Sequence, residues 1–224
     1  MRSDTQPKGL RDLPNEILLK ILIIILDFPG GIHYQRWPTI LRGRIEPLLG
    51  TPFVRMIPEA LYRHNKVITS FETYTRSNLF SEPTAATSIL YPPPSVNSWL
   101  RVLEIHFPRF YSPYASYDSH INWLRRIGSD SVGFKNLENL ILAFEGSLFD
   151  VSGILWDKSN LELFHRTVRR EGKILLPIKE LEVRIGNHSC VNGQCSPDLR
   201  SGIRLGLNLC YWITEIRNCF SVIN

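Results

Sequence analysis

The strongest apolar pattern in the chain lies near its start. Leu13, Ile17, Ile21, Ile24 and Phe28 recur at helical spacing, with Leu18, Leu22 and Ile25 in a second apolar line beside them. Pro14 suits a first helical position, where a missing N–H costs nothing, and Asp12 and Glu16 put negative charge at the positive helix end. Pro29-Gly30-Gly31 stops the pattern. The polar residues Asn15, Glu16 and Lys20 all fall in the first half, so no polar face remains from Ile21 to Leu26. Such a helix has to be covered on more than one side, by the chain's own core or by a partner.

From 32 to 57 the chain is broken by Pro38, Gly43, Pro47, Gly50 and Pro52, and the pattern predicts short helices around Trp37–Arg42 and Glu46–Leu49. Pro58-Glu59-Ala60-Leu61-Tyr62-Arg63 restarts a helix that runs into a short strand at Val67-Ile68. Residues 69–95 are rich in Ser, Thr and Pro and end in Pro92-Pro93-Pro94, which reads as a linker or long loop.

The second half carries one apolar template three times: Leu100-Arg101-Val102-Leu103-Glu104-Ile105, Leu137-Glu138-Asn139-Leu140-Ile141-Leu142 and Ile178-Lys179-Glu180-Leu181-Glu182-Val183. The copies start 37 and 41 residues apart, and helical patterns at His120–Ile127 and Asn160–Arg170 fill the intervals. Strand, helix, strand at this spacing predicts parallel pairing with crossover helices. The template also matches the strand of a leucine-rich repeat, although such repeats run roughly 20–29 residues. Asp198–Cys219 reads as a final helix. The expected class is α+β: a helical module at 8–68, a linker at 69–95, and a mixed α/β region at 96–224 with a small, parallel, leucine-rich-repeat-like sheet.

Composition narrows the class without naming a function. The 224 residues are 43% hydrophobic and 21% charged, which excludes whole-chain disorder, and 14 Gly, 15 Pro and 4 Cys exclude collagen-like and disulfide-scaffold classes. The run Ile17–Leu26, interrupted by Lys20, falls short of the roughly 20 apolar residues that span a bilayer. Asp4, Asp12 and Glu16 stand where a signal peptide would be basic. A cytoplasmic or nuclear chain with free thiols and no membrane association is expected.

Leu13-Pro14-x-Glu16-Ile17-Leu18-x-x-Ile21-Leu22 resembles the start of an F-box. Three later stretches are similar, in the same order, to parts of many fungal F-box-like proteins. They are Ala60-Leu61-Tyr62-Arg63-His64-Asn65-Lys66-Val67, the strand at Leu100–Phe107, and Trp123-Leu124-Arg125-Arg126-Ile127-Gly128 before the strand at Leu137–Phe144. The resemblance covers Leu10 to about Gly186. It implies an adaptor of a cullin-based ubiquitin ligase, docked on a Skp-family adaptor protein through Leu13, Pro14, Ile17, Leu18 and Ile21, with the rest of the chain recruiting a target protein. The Pro- and Gly-broken stretch 29–57 departs from the second compact helix usual in an F-box. Without the resemblance, the same apolar helix reads equally as the central helix of the chain's own core.

The chain lacks the glycine-rich phosphate cradles, His-Glu-x-x-His and Gly-x-Ser-x-Gly. No catalytic or cofactor-binding residues are assigned, and the expectation is a non-enzyme. His188, Cys190 and Cys195 offer suitable zinc ligands, but Cys210 and Cys219 are eight residues apart in an apolar stretch and do not complete a set, so no metal is assigned. The formal charge is +5. Basic residues gather at Arg36, Arg42, Arg44, Arg55, Arg63 and Lys66, and again at Arg166, Arg169, Arg170 and Lys173, without an aromatic-interleaved nucleic-acid motif. Trp123 and Trp156 read as packing residues. The aromatic-rich loops Pro108–Asp118 and Glu145–Asp157, with Tyr111, Tyr114 and Tyr117, are the expected target contacts.

Overall fold

A computed structural model describes residues 13–33, 36–70, 94–107, 117–129, 133–144, 159–186, 188–191, 194–195 and 209–223. Its frame is five parallel strands: β1 (Ile32–His33), β2 (Val67–Ser70), β3 (Val102–Phe107), β4 (Asn139–Phe144) and β6 (Glu180–Ile185). They lie side by side in that order, and β7 (His188–Val191) and β8 (Gln194–Cys195) continue the sheet antiparallel. The three template copies supply β3, β4 and β6, in one register: Leu103 faces Leu140 and Leu140 faces Leu181. The leading apolar residue of each copy, Leu100, Leu137 or Ile178, is buried just ahead of its strand.

Parallel neighbours need a crossover, and helices provide it. α4 (Asp118–Gly128) links β3 to β4, and α5 (Ser159–Glu171) follows β4. The helices expected at His120–Ile127 and Asn160–Arg170 are therefore present, each slightly longer. Between β4 and β6 the chain also forms β5 (Ile174–Leu176), which leaves the main sheet and pairs in parallel with β9 (Phe220–Val222), beyond the last helix α6 (Leu209–Arg217). Expectations for 69–95 beyond β2 and before residue 94, and for the start of the final helix, lie outside the described residues.

The N-terminal half joins the same sheet, since β2 pairs with β3 across the 69–95 segment. Its helices are α1 (Asn15–Ile25), α2 (Trp37–Ile40) and α3 (Ile57–His64). The broken stretch after α2 runs as a wide π-helical turn at Leu41–Ile45 and tight 3-10 turns at Glu46–Leu48 and Pro52–Met56. Pro14 sits one residue earlier than expected, at the N-cap, where its carbonyl accepts from the N–H of Ile17 at 3.0 Å and Leu18 at 3.1 Å. The architecture is mixed α/β, with helices and strands alternating instead of segregating.

One sheet face builds the core. Leu103, Ile105, Phe107, Leu140, Leu142, Phe144, Leu181, Val183 and Ile185 point to it and are buried with Ile121, Leu124, Leu161, Phe164 and Val168 of α4 and α5. Phe107 stacks on Phe144 with ring centroids 4.7 Å apart, and Phe164 meets both edge-on at 5.6 and 5.3 Å. Gly128 ends α4 against β5, and a Cβ there would overlap the carbonyl oxygen of Leu175. Only glycine permits that approach.

The opposite face is polar. Ile68 and Ile141 point to it and are buried outside the contiguous core. Between them lies Glu104, whose side chain is 7% exposed. Its carboxylate takes Lys66 Nζ at 2.6 Å, Arg184 Nη1 at 3.2 Å and His106 Nε2 at 2.7 Å. Arg184 reaches Glu104 across β4, at the register row of Ala143, and forms two further bonds to Glu182 at 2.7 and 3.0 Å. Burial alone would raise the Glu104 pKa, but the bonds from His106 and Lys66 and the charges of Lys66 and Arg184 outweigh it and hold it near 2.

Two predictions follow from this packing. Because the folded pKa of Glu104 lies below its ordinary value of 4.5, its contribution is complete above that value and is lost as pH falls toward about 2. Glu104→Gln should cost about 1–3 kcal/mol at neutral pH, since Lys66 and Arg184 stay partly hydrated, and should flatten the acid limb of a denaturation series over that window. Gly128→Ala should cost about 1–3 kcal/mol through overpacking, read as a lower urea midpoint.

Candidate docking site

The site candidate is the outer face of α1. The helix is aimed by three residues of one line, Leu18 (3% exposed), Leu22 and Leu26, which enter the core. Its far end is clamped by Asn65, which is buried. Asn65 Nδ2 donates to the carbonyls of Leu26 and Leu61 at 2.8 Å each, and its Oδ1 accepts from Phe28 N–H at 2.7 Å. One side chain thus joins the ends of α1 and α3 and leaves none of its main bonding capacity to solvent.

With that line buried, the other faces outward. Ile17 is 41% exposed, Ile24 76% and Ile25 39%; Pro14 is exposed, and Leu13 and Ile21 are half-buried. Of the five residues expected to dock a partner, the structure leaves Pro14 and Ile17 exposed and Ile21 half-buried, packs half-buried Leu13 against the core, and sends Leu18 inward, where no partner reaches it in this conformation. Ile25, grouped in the sequence with Leu18 and Leu22, stays exposed, and Leu26 takes the core position. Two further exposed apolar residues, Leu49 and Val54, come from the 3-10 region; the turn carrying Val54 contacts α1. Sequence periodicity misses both because they lie in no periodic element. Lys20, Arg42 and Arg55 are exposed nearby in the chain.

The other candidates are accounted for differently. Tyr111, Tyr114, Trp156 and most of the two aromatic loops lie outside the described residues. Tyr117 is a packing residue instead of a surface contact: it is 1% exposed against Phe107 at 6.2 Å and Phe164 at 5.5 Å, and burial raises its pKa. Trp123 packs edge-on against Phe134 at 5.8 Å. In the second basic cluster Arg170 pairs with Asp118 and Glu171 at 3.0 Å each, and Arg169 reaches Glu215 at 4.0 Å.

Cys219 is buried and donates to the Glu215 carbonyl at 3.4 Å, and burial pushes its pKa up to about 11, which keeps it a thiol. His120 is pushed down to about 4 by burial among Phe107 and Tyr117 and is neutral at physiological pH. Cys190 and Cys195 are register partners in the β7–β8 hairpin. Among the described residues no three His, Cys, Asp or Glu side chains gather as metal ligands, and no helix is long and apolar enough to cross a membrane.

Comparison with protein-family models, curated proteins and solved structures finds no match.

The burial of His120 fixes a pH response. Its folded pKa lies below the ordinary 6.5, so protonation favours the unfolded chain, and the stability it supports is complete above that value and lost as pH falls toward about 4. The thermal midpoint should decline through this window before the Glu104 region is reached. His120→Phe should remove the decline; an unchanged pH profile would contradict the assignment.

Proposed function

We propose that this chain is a non-enzymatic, F-box-like adaptor that docks on a Skp-family protein of a cullin-based ubiquitin ligase and recruits a target protein through its α/β region. The observation that carries the reading is the outer face of α1. Ile17 and Ile24 stand exposed on a helix whose opposite line is already buried, and large apolar side chains grouped at the surface mark interaction sites. The helix begins at the Leu13-Pro14 pair that resembles the F-box start, and the docking residues are Leu13, Pro14, Ile17 and Ile21, with Ile24 extending them. Leu18 acts from the inside, by fixing the angle at which that face is presented.

The three parallel template strands, backed by helices on one side, support a leucine-rich-repeat-like arrangement of the target-facing part, built from units longer than a regular repeat. On the polar sheet face, the part-exposed side chains of His106 and Arg184 are the candidates for recognition. An adaptor of this kind works in the cytoplasm or nucleus. It needs neither cofactor nor metal, because its chemistry is to hold a target beside an enzyme.

Co-purification with the Skp-family adaptor tests the docking. The wild-type chain, folded and abundant, should bring the adaptor down, and its failure to do so would sink the proposal in favour of an interaction protein without ligase docking. The two lines of α1 should separate cleanly. Ile17→Ala and Ile24→Ala should reduce adaptor recovery and leave the thermal midpoint almost unmoved, whereas Leu18→Ala should cost about 2–5 kcal/mol of stability as a cavity in the core. Equal stability losses at Ile17 and Leu18, with adaptor recovery intact, would show that both lines are core.

A further inference from the structure

Where α1 ends, the chain turns through Asp27–Gly31 into β1 and leaves a cavity of about 530 Å³. Its lining includes Asp27, Phe28, His33, Arg36, Arg44 and Ile68. His33 and Ile68 belong to β1 and β2 and are register partners; the remaining lining comes from the turn, from Arg36 just ahead of α2 and from Arg44 in the π-helical stretch. The volume is that of a small-molecule site.

Several arginines of this chain are matched to carboxylates: Arg63 to Glu59, Arg101 to Glu138, Arg125 to Glu171, Arg184 to Glu182. Among the described residues neither Arg36 nor Arg44 forms an ion pair, although Asp27 lines the same cavity. Arg44 is nonetheless held in place, since its Nη1 donates to the Ile25 carbonyl at the end of α1, 3.0 Å away. That bond answers the negative helix end and leaves most of the five guanidinium donors for something else. Arg36 is exposed. His33 meets His106 edge-on at 6.1 Å, which places the cavity beside the polar sheet face.

Two guanidinium groups at one cavity, one of them already anchored, suit an oxyanion, which arginine grips with paired, charge-assisted hydrogen bonds. The carboxylate of Asp27 would repel a bare anion, but it accepts a hydroxyl from a ligand whose charge lies at its other end. We propose that this cavity binds a small phosphate monoester carrying hydroxyl groups, with the phosphate at Arg36 and Arg44 and a hydroxyl at Asp27. The site shares no residue with the docking face of α1 and does not depend on it.

Calorimetric titration of the full chain with glucose 6-phosphate, inorganic phosphate and glucose tests this. Glucose 6-phosphate should bind saturably with a Kd below about 1 mM, and free glucose should not bind. Arg36→Gln should weaken the sugar phosphate about tenfold or more without moving the thermal midpoint, since Arg36 is exposed. Asp27→Asn should weaken the sugar phosphate and, by removing the repulsion, leave inorganic phosphate bound as well as before or better. No saturable binding of glucose 6-phosphate, or binding indifferent to Arg36→Gln, overturns the site. Equal affinity for inorganic phosphate, untouched by Asp27→Asn, overturns the hydroxyl-bearing ligand class. Adaptor co-purification by Arg36→Gln should equal wild type, so a failed cavity and a failed docking face are distinguishable.

Discussion

The parallel pairing of β2, β3, β4 and β6 is the constraint from which most of this molecule follows. Parallel neighbours cannot be joined by a tight turn, so each step requires a long return path, and between β3 and β4 that path contains a helix. The register places Val67, Leu103, Leu140 and Leu181 in one row and Thr69, Ile105, Leu142 and Val183 in the next. Both rows point to the helices. Because side chains alternate along a strand, the rows between them point the other way, and that second face carries Glu104, Glu182, His106 and Arg184. A carboxylate at its centre survives burial because His106 on its own strand, Lys66 just ahead of β2 and Arg184 on β6 converge on it.

The N-terminal half answers to the same frame. β1 and β2 extend the sheet, so α1 and α3 have a place to lay their apolar lines beside Ile32 and Val67 in the common core. Asn65 then fixes how the two helices meet. It replaces bonds that the chain ends of α1 and α3 would otherwise leave open, and it stands two residues before β2, so the helix clamp and the sheet are joined directly. The exposed face of α1 is a consequence: once Leu18, Leu22 and Leu26 are committed inward, a helix this rich in isoleucine has nowhere else to put Ile17 and Ile24.

Much of the frame was legible in the sequence because it repeats. The apolar-x-x-apolar-x-apolar template is the sheet register written along the chain, and the intervals between copies gave α4 and α5. Two kinds of information were not local enough to read. On α1 both lines are apolar, so periodicity established a helix without deciding which line was core; that choice depends on Asn65, some forty residues away. Tyr117 stood in an aromatic-rich loop pattern, but Phe107 and Phe164 close over it, contacts that exist only after β3 and α5 are assembled. The Lys66–Glu104–Arg184 network spans 118 positions of sequence and depends on Ala143 occupying the intervening strand row, which no spacing rule reports. The pairing of β5 with β9 escaped for the same reason.

On the proposed docking, the double character of α1 also bears on how a partner would be received. A helix that used one line for both core and docking would have to loosen from its own domain to bind, and the affinity would be reduced by the fraction of time it spent docked inward. Here the two lines lie on different sides, and the inward one is held by buried leucines and by Asn65. The outer face is therefore presented at a fixed angle before any partner arrives, which lowers the ordering cost of association. The same rigidity sets the geometry between α1 and the sheet, because β1 and β2 lie in the sheet that carries β3, β4 and β6. On the proposed reading, a partner on α1 and a target on the sheet would be carried by the same body, since β1 and β2 share one hydrogen-bonded sheet with β3, β4 and β6.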